Sequence, residues 1–135
     1  MKLHTFRIKP GNDLKTEIEQ FVKTHYIQAG FIVTCVGGLS QACMRMAGAT
    51  PESQDIRTFE GDFEVMSLVG TASVNGVHLH MAISNTEGAC FGGHLKEGTI
   101  IHPTAEIVIG EDESATYSRE PDIETGFDEL VVRAR

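Results

Sequence analysis

The spacing of apolar positions changes along this chain, and each change marks an element. Leu3 to Ile8 reads as a strand, broken by Pro10-Gly11-Asn12-Asp13, where Asn12 or Asp13 supplies a helix N-cap. Leu14, Ile18, Phe21, Val22 and Ala29 then recur at helical spacing, with Lys15, Glu19 and Lys23 on the other side. This predicts one long helix stopped at Gly30. From Phe31 onward the pattern is β. Phe31 to Val36 is a nearly continuous apolar run, which predicts a strand covered on both faces. Gly37-Gly38 marks a bulge or bend before Leu39 to Met46 resumes. A short strand over Ile56 to Phe59 and a second from Gly61 to Val74 follow, and Asn75-Gly76 is a strong hairpin signal. Beyond Leu95, Gly98 marks a turn and Ala105 to Ile109 a strand; Tyr117 and Phe127 to Val132 read as later strand segments, with Pro121 in the loop between them.

One helix on a largely antiparallel, strongly bent sheet is an α+β arrangement, and 135 residues without a linker or repeat make one domain over 1–135. The composition narrows the class further. Eleven basic against nineteen acidic residues give a net charge of −8, a poor basis for neutralising nucleic-acid phosphates. Strong direct DNA binding is therefore not expected. No apolar run is long enough to span a bilayer, and Met1 to Arg7 lacks the apolar stretch of a signal peptide. Three cysteines, Cys35, Cys43 and Cys90, are odd in number and lack C-x-x-C spacing, so reduced thiols in a cytoplasmic protein are expected.

Candidate chemistry is concentrated in three histidines. In a strand, His78 and His80 point to one face, while Val77, Leu79, Met81 and Ile83 point to the other. Asn85-Thr86-Glu87-Gly88 has the composition of a tight turn. An odd loop centred on Thr86 would set His94, in Gly92-Gly93-His94-Leu95, opposite His78 on the same face. An even loop would remove the site. Three converging imidazoles suit an open metal centre, since catalytic zinc takes three protein ligands and keeps a fourth position for water or substrate. Zinc is the expected ion, although imidazole also suits nickel, copper and iron. Cys90 falls on the histidine face, as a further ligand or as a small buried thiol. His4, His25 and His102 read as ordinary hydrogen-bonded residues.

A metal-centred reaction needs a proton shuttle. Glu64 and Glu106 are the catalytic candidates, because each interrupts an apolar strand and a carboxylate there must be paired, coordinated or functional. The structural alternative for Glu64 is an ion pair with Arg45 or Arg57, and for Glu106 plain solvent exposure. The sequence carries no phosphate-binding loop, no G-x-S-x-G elbow and no polar context that would activate Cys35 or Cys43.

Gly61-Asp62-Phe63-Glu64-Val65-Met66-Ser67-Leu68-Val69-Gly70, then His78-Leu79-His80, Gly92-Gly93-His94-Leu95 and Thr104-Ala105-Glu106-Ile107-Val108, in this order and spacing, resemble the plants-and-prokaryotes conserved (PPC) domain. The likeness runs from about Leu3 to Val132. It implies a compact homotrimeric domain with a zinc site on His78, His80 and His94, and a fold similar to that of acetolactate decarboxylase. The hydrophobic strands around Phe63, Met66 and Leu68 also need cover that one helix cannot give to both faces of a sheet. Plant members add an AT-hook, which this sequence lacks, and His102-Pro103 departs from the small or apolar residues usual before Thr104. Two functions fit: a metal-dependent, lyase- or decarboxylase-like enzyme acting on a small carboxylated or carbonyl-bearing molecule, or a trimeric scaffold or DNA-associated module working through partners.

Overall fold

The computed structural model describes residues 1–135. In chain order the elements are β1 (Lys2–Ile8), α1 (Leu14–Thr24), β2 (Gly30–Arg45), β3 (Ile56–Ser73), β4 (Gly76–Ser84), β5 (Cys90–Leu95), β6 (Ile100–Glu111), β7 (Ala115–Pro121) and β8 (Asp128–Ala134). Six strands form one antiparallel sheet in the order β1-β6-β2-β3-β4-β5. The far edge curls back, so that β5 also pairs with the end of β2 through Met44↔Leu95 and Arg45↔His94. Strands β7 and β8 make a separate hairpin. Register shifts near Leu39 in β2 and between Val65 and Ser67 in β3 supply the bends that such a closure needs.

The helix is anchored by its cap. Asp13 Oδ1 accepts from the Thr16 amide at 2.9 Å, and Asp13 Oδ2 accepts from the Gly98 and Thr99 amides at 2.6 and 3.1 Å. One carboxylate thus satisfies a helix terminus and ties it to the turn before β6. Leu14, Ile18 and Val22 are fully buried and join Ile107, Ile109, Leu39, Met81 and Ile83 in a core of 20 residues. Burial of one such aliphatic side chain stabilises by roughly 1.5–3 kcal/mol, so three on one stripe hold the helix on the sheet.

Several expectations need correction. The helix is short, 11 residues. His25 caps it, and Tyr26, with a φ of 52°, turns the chain, so Ile27 and Ala29 are buried by the loop instead of by a further helical turn. Gly30 starts β2. The run from Phe31 is not covered on both faces: Val33 and Val36 remain 50% and 56% exposed. The two strands expected around Gly61 are one strand of 18 residues. Pro121 closes β7 and does not lie in the loop. Burial pushes the Cys35 thiol up to about 11, in keeping with an inert core cysteine.

Candidate metal centre

The turn between β4 and β5 decides whether the histidines meet. Asn85 Oδ1 accepts from the Glu87 and Ala89 amides, and the Gly88 amide donates to the Asn85 carbonyl, so the loop closes around Glu87. Its centre lies one residue beyond Thr86. The rung opposite His94 is therefore His80, with Gly93 facing Met81 and Gly92 facing Ala82. This shift by two rungs preserves parity, and all three histidines stay on one face. Gly92 and Gly93 leave less room for a ligand than their size suggests. A Cβ on Gly92 would meet the Met81 carbonyl oxygen, and one on Gly93 the Arg45 carbonyl oxygen at 2.7 Å. They are small because β5 is squeezed between β4 and the end of β2.

One ligand nitrogen from each of His78, His80 and His94 lies within 4.8 Å of the others, and the ring centroids are 5.0, 5.1 and 5.5 Å apart. The Nε2 atoms of His78 and His80 are 3.2 Å apart. Two nitrogens bound to zinc at about 2.0–2.1 Å in tetrahedral geometry lie about 3.3 Å from each other, so this spacing suits a shared ion. Nδ1 of His94 is buried without a hydrogen-bond partner. An unpaired buried nitrogen calls for an explanation, and a metal among the rings supplies one. The donor set fits zinc.

Burial favours the neutral form of His78 and His94. Burial, then the charge of Arg45, pushes His94 down to about 4, and burial followed by the neighbouring His80 holds His78 below its ordinary value. Neutral imidazole is the ligating form. Since metal-free folded chains resist protonation that unfolded chains accept, stability should fall as pH drops from about 6.5 towards 4 and level off below. Urea unfolding midpoints of metal-free protein across this range should show the decline, and His94→Gln should flatten much of it. A midpoint that rises on acidification would contradict the burial of neutral His94.

The other predicted residues lie elsewhere. Glu64 faces Ser84 across the β3–β4 ladder, four residues along β4 from His80, or about 13 Å at the rise of a strand. It lines a separate groove of about 890 Å³ with His102, and makes no ion pair with Arg45 or Arg57: Arg57 pairs with Asp55 at 2.7 Å, and Arg45 lies over the Phe127 ring. Glu106 is exposed on β6 between Arg7 and Val36, away from the histidines. Cys90 is exposed at the far end of β5 opposite Ser84, neither a ligand nor a buried thiol. What sequence reasoning missed sits on the C-terminal hairpin. Arg119 and Glu129 line one groove with His78 and His80, and both line a second with His78, His94 and Arg45. No local motif announces them, because only the docking of β7–β8 brings them there.

The whole arrangement has close counterparts. A hypothetical protein from Salmonella enterica superposes with a TM-score of 0.93 at 35% identity, covering 99% of this chain and 94% of that one. The PPC protein of Pyrococcus horikoshii gives 0.81 at 29% identity over 97% and 93%. A metal-containing protein from Archaeoglobus fulgidus gives 0.79 over 97% and 94%, and at 23% identity it shows the fold alone. A Staphylococcus aureus protein similar to alpha-acetolactate decarboxylase shares the fold more distantly, with a TM-score of 0.53 at 16% identity over 84% of this chain and 54% of that one. Among curated proteins, the bifunctional protein GlmU of Synechococcus sp. (strain JA-3-3Ab) is 41% identical over 132 residues, a match covering 98% of this chain and 21% of that protein. The chain spans about a fifth of the length of that relative. Residues 1–113, which hold the helix, the bent sheet and all three histidines, match the Plants and Prokaryotes Conserved (PCC) domain, and the chain belongs to that family.

Proposed function

We propose that this PPC-domain protein binds one divalent metal per chain on His78, His80 and His94, zinc in preference to nickel, copper or iron. The carrying observation is the cluster itself: three imidazole nitrogens within 4.8 Å of one another, with no thiol or carboxylate among them to close a tetrahedron. Such a set leaves one position for a ligand. A metal there would polarise a carbonyl or carboxylate oxygen or lower the pKa of bound water. The chain's own contribution is to hold His78 and His94 neutral and to aim the rings by the paired rungs of β4 and β5, beside a groove of about 510 Å³ along His80 and His94.

The reaction class this supports is lyase- or decarboxylase-like chemistry on a small carboxylated or carbonyl-bearing molecule, by analogy of fold. Within one chain, Glu64 and Glu106 are too far from the rings to move a proton there. Glu129, which shares a groove with His78 and His80, is the better-placed carboxylate. Elemental analysis of the purified protein tests the metal reading: about one zinc per chain supports it, and none contradicts it.

Self-association into a trimer is part of the same reading. Val33, Val36, Met66 and Val69 leave half or more of their surface exposed, 50–57%, on neighbouring strands of the sheet, whereas Leu68 is already buried beneath. A run of exposed aliphatic side chains on one sheet favours a protein partner. Sedimentation equilibrium at micromolar concentration should give about three times the 14.7 kDa chain mass. A monomer mass would contradict the trimer.

A further inference from the structure

Three of the six arginines, Arg7, Arg45 and Arg119, form no ion pair, and two of these three flank the histidines. Arg57, Arg133 and Arg135 form ion pairs with Asp55, Glu120 and Glu111. Arg45 and Arg119 form none in a chain of net charge −8. Arg45 shares a rung with His94 and lies 5.4 Å over the ring of Phe127. Arg119 donates to Thr71 Oγ1 at 2.7 Å, and Thr71 shares a rung with His78. One N–H of the guanidinium is thereby pinned to the strand next to the site, and the others remain for a ligand. Arg119 and His78 line both grooves of the C-terminal hairpin side, with Arg45 in the second.

Asp128 and Glu129 line the second groove against these two guanidiniums, so a divalent metal on the histidines would leave the site net positive. The partner that the site lacks is therefore an anion, and guanidinium forks suit carboxylate geometry. We propose that Arg119 anchors the second acidic group of a small dicarboxylate whose first carboxylate takes the open metal position. This assignment rests on the metal-binding reading above. Glu129 in the same groove disfavours a doubly charged phosphate, so a singly charged carboxylate is the better occupant of the Arg119 fork. Arg119 and Glu129 lie after residue 113, outside the segment matched to the family, so the anchor is read from this chain's hairpin alone.

Calorimetric titration of the zinc-loaded protein with malonate and with acetate tests the assignment. Malonate should bind roughly 10–100-fold more tightly, the range expected for a charge-assisted hydrogen-bonded pair. Arg119→Gln should bring malonate down to the acetate level while zinc content and acetate binding stay unchanged. Arg119→Lys, which keeps the charge without the fork, should weaken malonate several-fold and still favour it over acetate. This second variant decides the matter should the glutamine variant fail to fold, and full wild-type affinity in it would overturn the fork. Equal binding of the two acids by wild type, or an unaltered ratio in R119Q, overturns the anchor and leaves the metal reading intact. Wild-type protein that takes up no zinc overturns both. Phosphonoacetate binding more tightly than malonate would overturn the choice of carboxylate over phosphate.

Discussion

Purified His80→Ala protein should carry almost no stoichiometric metal, where wild type carries about one ion per chain. His80 is the middle of the set: its Nε2 lies 3.2 Å from that of His78, and its rung partner is His94. Without it, two imidazoles remain. Removing a group that merely supports a ligand costs about 10–100-fold in affinity, and removing a ligand should exceed that. The fold should survive, because the side chain is exposed and a surface substitution of this kind changes stability by about 0.5 kcal/mol or less. Elemental analysis and urea unfolding of the same metal-free preparations separate the two effects. Unchanged metal content in H80A would remove His80 from the site.

The second large effect is on the backbone beneath the site. Gly70 sits in β3 opposite Leu79 with a φ of 141°, a conformation that L side chains rarely adopt. A Cβ there would land on the carbonyl oxygen of His78. Backbone strain of about 1–3 kcal/mol adds to an overpacking cost of about 1–3 kcal/mol, so Gly70→Ala should destabilise by about 2–6 kcal/mol. That is a large share of the roughly 5–15 kcal/mol that holds a typical domain together. Because the atom struck belongs to His78, metal affinity should fall as well. Gly48→Ala is the control: its φ is 90° but a Cβ meets nothing within 4 Å, so only strain applies. Equal urea midpoints for the two variants would contradict the steric account.

The sequence showed the histidine face but not its register. Strand alternation alone places His78 and His80 together, and any hairpin with an odd loop adds His94, so the prediction survived a misplaced loop centre. Composition could not distinguish Thr86 from Glu87 as that centre. The choice depends on Asn85, whose side chain accepts two amides across the turn. The end of α1 was hidden in a similar way. Ile27 and Ala29 are apolar because a loop buries them, which mimics helical spacing past the turn at Tyr26. Glu64 is a carboxylate in an apolar strand, yet one face of that strand is open and the charge is simply exposed. Arg119 and Glu129 carry no such signal, because charged residues recur along both strands of the C-terminal hairpin, and only long-range docking of β7–β8 gives them a place beside the rings.

An anomalous difference map of zinc-loaded crystals, collected at the zinc edge, tests the central claim most directly. One peak per chain is expected within bonding distance of a nitrogen from each of His78, His80 and His94, with water or a small anion in the fourth position. A peak that is absent, sits elsewhere, or is completed by a fourth protein side chain would contradict it.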